Sequence, residues 1–297
     1  MSDQPEKRIT SMVPMVCRAA FLLLPWWLVV NTACLPAEGR RLWSAVPADT
    51  ATVVQYAGRP WQRSEYTQYM QAKSDSFAAD LKQEFGIPFK VYHQKYFLIA
   101  CRCNQAYVNK LKQYSSHFLR HFYPRYLHYE PRGLFRMVYF GSRSEMQARA
   151  GHSSYGYYTF DNRTFYSYVG SGHGTLWHEM VHAFLHAEYD QYRPQWFEEG
   201  FASFYEMAFL DARGNVLEGY ANWRLPEMQM RLRQGRFHPL SKALQHHSFD
   251  EQFHYADARW FFVWLWQHQL LDDFVRMYLT VWQREDQPAD QRRLIQD

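Results

Sequence analysis

Apolar residues follow two kinds of spacing, and the change between them divides the chain. Alternating and helical-period segments follow one another up to about residue 170, and only the helical period recurs from residue 175 on. This order predicts an α+β fold in which a small mixed or antiparallel sheet is followed by a mainly helical region. We predict helices over 64–85, 105–122, 142–150, 175–189, 195–210, 218–233, 239–247, 254–269 and 271–284. We also predict one or two strands over 89–102, a strand over 133–141 and a hairpin over 155–170.

Turn and capping residues support several of these boundaries. Gly86-Ile87-Pro88 ends the first predicted helix. Asp161-Asn162 lies between two runs rich in Tyr and Phe, and the pattern predicts a β-hairpin over 155–170. Thr175 is a favourable N-cap for the helix that follows this hairpin.

The N-terminus has the pattern of an export signal. Basic residues precede an apolar stretch from Ala19 to Val30, whose 12 residues are short for a membrane span and typical of a secretory signal. An uncleaved membrane anchor or a buried helix is the alternative. Cys34 lies where a lipoprotein cysteine would lie, although Asn31 is polar where such signals usually have leucine. We predict a signal over 1–37, a linker and helix over 38–88, and the main domain over 89–297.

Composition describes a globular protein of mild charge. Of the 297 residues, 47 % are hydrophobic and 21 % are charged, which excludes a disordered chain. The net charge is +4, and no run of Lys and Arg forms a basic face, so we do not expect a nucleic-acid partner.

Cysteines offer little evidence for a metal site. Cys101 and Cys103 are separated by one residue, a spacing that we consider too tight for an easy disulfide. We expect free thiols, or one of the two paired with Cys34 if that residue is retained. A single C-x-C without a second cluster is weak evidence for metal.

The segment HEMVH carries the chemistry. His178 and His182 are four residues apart, so on a helix both rings leave the same face about one turn apart and can bind one Zn²⁺. Glu179 lies on the flank of that face, where its carboxylate can take the proton of an activated water. The alternative is a pair of ordinary histidines on a structural helix.

A catalytic zinc site needs a third protein ligand and an open position. His186 is two turns from His178, about 12 Å along the axis, and cannot share a metal with both histidines. Glu198 and Glu199 in the next predicted helix remain as candidates. Small neighbours at Gly200 and Ser203 favour Glu199, but Ala202 serves Glu198 nearly as well, so the residues alone do not decide.

HEMVH followed by WFEEGFASFYE resembles the gluzincin metallopeptidases of the peptidase-MA-like superfamily, and distantly the M1 aminopeptidases. The resemblance covers about 89–285 and is specific over 175–206. It implies a zincin-like catalytic domain in which the glutamate before the glycine, Glu199, is the third zinc ligand. It also implies that the stretch 163–170 is the edge strand that aligns an extended substrate.

The same resemblance points to a tyrosine that stabilises the oxyanion. Tyr255 precedes an apolar helix, as that tyrosine does, although it could equally be a packing residue, and His254 or His247 could take its part. The exopeptidase motif G-x-M-E-N and the long N-terminal β-domain of the M1 enzymes have no counterpart here, which argues against aminopeptidase activity.

Together these features predict an exported, periplasmic or cell-envelope zinc peptidase acting on peptides or proteins. His178, His182 and Glu199 would bind Zn²⁺, Glu179 would be the general base, and Tyr255 would assist. The alternatives are a zinc hydrolase of a non-peptide or cell-wall amide, and a non-catalytic envelope protein that keeps the zinc site. Membrane attachment would use Cys34 or an uncleaved signal.

Overall fold

The protein is a mixed α/β structure with small sheets. The computed structural model describes residues 53–56, 59–127, 131, 133–189, 193–236 and 255–283. The predicted signal over 1–37, which contains Cys34, lies outside the described residues. So do the predicted helix over 239–247, which contains His247, and the separate residue His254. Among those described, no helix combines the length and the apolar character needed to cross a bilayer.

The chain divides into two compact units, and each is built differently. The first unit contains the described residues up to 189 together with Leu210–Val216, and it holds the main sheet. The second contains the described residues of 193–209 and 217–283, and it is mainly helical.

The strands are β1 Val53–Tyr56, β2 Arg59–Gln62, β3 Lys90–Gln94, β4 Phe97–Cys101, β5 Phe135–Phe140, β6 Gly156–Thr159, β7 Thr164–Tyr168, β8 Phe209–Leu210 and β9 Val216–Leu217. The helices are α1 Arg63–Phe85, α2 Gln105–Tyr126, α3 Arg143–Ala150, α4 His173–Glu188, α5 Gln195–Phe204, α6 Arg224–Arg233, α7 Tyr255–Gln267 and α8 Leu271–Gln283, with a 3₁₀ turn at Tyr205–Met207.

The main sheet has five strands in the order β3-β4-β5-β7-β6. Its two central pairs, β4 with β5 and β5 with β7, are parallel, and its two outer pairs are antiparallel. All five residues of β4 are buried, which explains why Phe97–Cys101 is a continuous apolar run rather than an alternating one. The sheet is therefore mixed, which is one of the two sheet types, mixed or antiparallel, that the sequence predicted.

Helix α4 packs in the first unit against α2, β6 and β7. Phe184 of α4 places its ring 4.8 Å from that of Phe135 on β5, and Trp177 stacks on Phe118 of α2 at 5.1 Å. The indole Nε1 of Trp177 also donates a hydrogen bond to the Tyr114 carbonyl at 3.3 Å. These aromatic contacts fix the rotation of α4 about its own axis.

The second unit is organised around the packing of α5 on α7. Gly200 of α5 makes this approach possible, because a Cβ atom there would lie 2.9 Å from a ring carbon of Phe262 and 3.0 Å from the Cβ of Ala258. Phe197, one turn earlier on α5, stacks on Tyr278 of α8 with ring centroids 4.2 Å apart. Side chains of three helices thus share one aromatic core.

Several sequence expectations are wrong. The helix predicted over 195–210 ends at Phe204, and the helix predicted over 218–233 begins only at Arg224. Thr175 is not the N-cap of α4, which begins at His173 after Gly172 takes a positive φ of 92°. Cys101 and Cys103 form a disulfide with each other, because their Cα atoms lie 5.3 Å apart, within the usual range for such bridges. The stretch 163–170, expected as the edge strand, forms β7, which lies between β5 and β6, so β6 is the edge strand on that side.

Candidate metal centre

Helix α4 presents two imidazole groups from successive turns. The Nε2 atoms of His178 and His182 lie 3.3 Å apart, and the His182 side chain is buried. Two ligand atoms bonded to one tetrahedral Zn²⁺ at 2.0–2.1 Å are separated by about 3.3 Å. The two histidines therefore already have the spacing that a shared zinc ion requires.

Buried residues surround the imidazole pair on α4. Leu176, Trp177, Val181 and Leu185 are buried, while His178 keeps partial exposure. Leu185 follows His182 by three residues and therefore extends the same helix face as an apolar surface. Glu179 follows His178 directly and is 6 % exposed, so its carboxylate lies in a largely dehydrated environment beside the imidazole pair.

Glu199 is the third residue of the group. One ligand atom from each of His178, His182 and Glu199 lies within 4.8 Å of the other two. Two neutral imidazoles and one carboxylate form the donor set of several catalytic zinc sites, and three protein ligands leave a fourth position open. The residues present therefore fit a zinc ion better than a cation such as Mg²⁺ or Ca²⁺, which prefers oxygen ligands.

The neighbouring carboxylate, Glu198, has a different partner. Arg193 donates from Nε to Glu198 Oε1 at 2.5 Å, and both side chains are almost fully buried. A buried pair of this kind stabilises the fold only while both charges are present, because either charge alone would remain desolvated. The structure thus distinguishes two glutamates that residue chemistry alone left equivalent.

Gly200 has a role other than the one inferred from its small size. We expected its small size to let α5 approach the helix that carries His178 and His182. In the structure, its missing side chain makes room for Phe262 and Ala258 of α7. The glycine beside Glu199 therefore serves the packing of the second unit.

His186 lies in the last turn of α4, and its Nδ1 is 3.0 Å from the hydroxyl of Tyr158 on β6. This hydrogen bond joins the end of the helix to the edge strand of the same unit. The metal-ligand group does not include His186, as its spacing along α4 predicted.

Tyr255 is the first residue of α7, and the guanidinium of Arg224 lies 4.9 Å from its ring centre. Arg224 also donates to Glu206 at 3.0 Å from Nη2 and at 3.3 Å from Nε. The structure thus gives the tyrosine a cationic neighbour that is itself fixed by a carboxylate. Its role in catalysis stays a prediction.

Tyr139 is a neighbour of the site that sequence reasoning missed. It lies on β5, and its pKa is raised well above 10.0, first by burial and then by the charges of Tyr107 and Glu179. Its hydroxyl is buried and has no hydrogen-bond partner among the described residues. Nothing in the strand sequence around it marks it, because β5 is aromatic and apolar throughout its second half.

No family model matches the chain, and no curated protein matches it either. The assignment of the centre therefore depends on its own geometry and chemistry.

Proposed function

We propose that the protein is a zinc-dependent hydrolase that cleaves peptide bonds, with a zincin-like catalytic domain of the gluzincin kind. The observation that carries this proposal is the 3.3 Å separation of the His178 and His182 Nε2 atoms, which matches two ligands of one zinc ion. The position of Glu199 within 4.8 Å of both supports it as the third ligand.

Zinc, when bound by these residues, supplies the Lewis acidity that makes water a nucleophile near neutral pH. Glu179 is the residue that accepts the proton of that water and passes it to the leaving amine. Its 6 % exposure favours this role, because electrostatic interactions are stronger where bulk water is excluded. Tyr255 would donate a hydrogen bond to the oxygen on which negative charge develops.

Strand β6 supplies a surface for an extended peptide. It is the edge strand next to β7, and it packs on α4, which carries the two histidines. Gly156 allows β6 to lie close to α4, because a Cβ atom at this position would lie 2.7 Å from a methyl carbon of Thr175. A peptide that adds to this edge would use its backbone groups, which favours peptides over other amides as substrates.

Export is part of the same proposal. Disulfides persist mainly in oxidising compartments, and the Cys101–Cys103 bridge favours such a location. Attachment through Cys34 stays a prediction.

The direct test is digestion of a proteome-derived peptide library, with mass spectrometry as the readout. The zinc-loaded wild type should yield defined cleavage sites, and Glu179→Gln should keep the metal while cleavage falls about 10²–10⁴-fold. A zinc-loaded wild type that cleaves no peptide would instead favour a binding role, and activity on cell-wall amides alone would favour the second hydrolase.

A further inference from the structure

The Cys101–Cys103 disulfide lies at the junction of β4 and α2, away from the residues assigned to zinc in the sequence. Cys101 is the last residue of β4 and is 2 % exposed, whereas Cys103 is partly exposed just before the N-cap of α2. Cys103 is therefore the more accessible residue of the two. Disulfides with an accessible sulfur are the ones that exchange readily with thiols.

The bridge contributes little as a structural crosslink. The entropy that a disulfide removes from the unfolded chain grows with the loop it closes, and this one spans only two positions along the sequence. Cys101 is already paired with Lys90 of β3 and with Tyr139 of β5. Asn104 independently caps α2 by accepting a hydrogen bond from the Tyr107 amide at 2.9 Å. The segment is held in place without the bond.

A pocket of about 350 Å³ opens beside Cys103. Tyr107, Gly141 and Val169 form part of its wall, and Arg102 and Lys110 contribute two cations. No acidic side chain is among the described residues that line it. Glu145 pairs with Arg102 at 3.1 Å and accepts a hydrogen bond from the Gly141 amide at 2.7 Å. Lys110, whose Nζ lies 5.7 Å from the ring centre of Tyr114, is the second cation of the pocket and leaves its charge positive. The pocket therefore suits a small anionic molecule.

The local field also favours a thiolate at Cys103. Helix α2 is 22 residues long, and its N-terminus begins two residues after Cys103. The partial positive charge of a helix N-terminus and nearby Lys or Arg side chains stabilise a thiolate. Cys103 would thus be a good leaving group when a second thiol cleaves its mixed disulfide and completes the reduction of the pair.

We propose that Cys101–Cys103 is a thiol–disulfide exchange site that takes small anionic thiols, peptide dithiols among them. A substrate thiolate attacks Sγ of Cys103, a mixed disulfide forms, and Cys101 leaves as a thiolate that takes up a proton. The second thiolate of the dithiol then attacks the substrate sulfur of the mixed disulfide and releases Cys103. The substrate loses two electrons and two protons, and the protein gains them as two thiols.

The test uses the oxidised full-length protein and two probe thiols of opposite charge. Reduced glutathione, which is anionic, should open the bridge about tenfold faster than cysteamine, which is cationic, relative to a free model disulfide. Alkylation of the released thiols followed by peptide mapping separates this pair from Cys17 and Cys34. A bridge that glutathione opens only after the protein unfolds, or equal relative rates for the two probes, would overturn the proposal.

Substitutions of the cysteines and of Lys110 test which residues take part in the exchange reaction. With glutathione disulfide, Cys101→Ser should form a mixed disulfide at Cys103, whereas Cys103→Ser should leave Cys101 unmodified because that side chain is buried. Lys110→Glu should slow the glutathione reaction about tenfold, and Lys82→Glu, an equal charge change on exposed α1, should not. The proposal would be contradicted if Cys101 were modified as fast as Cys103, or if both lysine variants slowed the glutathione reaction equally.

Discussion

His178 and His182 place their Nε2 atoms 3.3 Å apart on successive turns of α4. One helix carries both residues, so the two imidazoles could bind one metal ion without a rearrangement of the backbone.

Replacing Glu199 and Glu198 in turn should separate metal binding from stability. Glu199→Ala should lose zinc. Glu198→Ala should keep zinc but lower the free energy of unfolding by about 3–5 kcal/mol, because Arg193 would remain buried without its carboxylate. Metal analysis and denaturant titration in chelator provide the two readouts.

A double variant controls for the buried charge. Arg193→Met combined with Glu198→Ala removes both members of the pair and should recover most of the lost stability. If Glu198→Ala lost the metal in a folded protein and Glu199→Ala retained it, the assignment of the third ligand would be reversed.

Gly200→Ala should destabilise the second unit. The added methyl would lie 2.9 Å from Phe262 and 3.0 Å from Ala258, and such overpacking costs about 1–3 kcal/mol. Gly133→Ala is the matched control, because nothing lies within 4 Å of a Cβ atom at that position. Denaturant unfolding of both variants would measure the difference, and equal stabilities would show that α5 and α7 are not in close contact at Gly200.

Tyr139→Phe should not lower stability, and a modest gain is expected. The hydroxyl that it removes is buried without a hydrogen-bond partner among the described residues, so its loss relieves a desolvation cost. Tyr66→Phe is the comparison, because the Tyr66 hydroxyl donates to the Lys95 carbonyl at 2.8 Å and its loss should cost about 1 kcal/mol. Thermal or denaturant unfolding checks both. A clear loss of stability in Tyr139→Phe would show that its hydroxyl has a partner.

His93 should make stability decline in acid. Burial, and to a lesser extent the charge of Lys112, lowers its pKa below 6.5 in the folded state. The unfolded chain then binds the proton more readily, so the contribution of His93 is intact above about pH 6.5 and is lost as the pH falls below that value.

His93→Gln should reduce the stability difference between about pH 7.5 and about pH 5.5. Lys112→Met should raise the pKa of His93 only in part, because burial is the larger cause. An NMR titration of the His93 ring measures this pKa directly. An unshifted midpoint in the wild type would contradict the expected direction.

Local sequence signals predicted elements well where their cause is local. The first long helix was expected over 64–85 and is found at Arg63–Phe85, because Gly86 takes a positive φ of 68° and ends it. The hairpin over 155–170 is likewise confirmed as β6 and β7. Glycines and turn residues act within a few positions of themselves, so the local sequence is enough to predict these elements.

Tertiary arrangement limited the other predictions. Whether β7 is an edge or an interior strand depends on where β6 pairs, and the period of its side chains does not record that choice. The four-residue spacing of His178 and His182 on one helix was enough to predict that their rings lie together. Glu198 is distinguished from Glu199 by its ion pair with Arg193, a tertiary contact that the local sequence does not reveal. The sequence did not distinguish Tyr139 because β5, like other buried strands, is rich in aromatic and apolar residues.

The central claim is that His178, His182 and Glu199 together bind one catalytic zinc ion. Its most direct test is the zinc content of the purified protein, measured by mass spectrometry beside His178→Ala, His182→Ala and Glu179→Gln. We predict about one zinc per chain in the wild type and in Glu179→Gln, and none in either histidine variant. Stoichiometric zinc retained by folded His178→Ala, or a wild type that binds no zinc, would contradict the account.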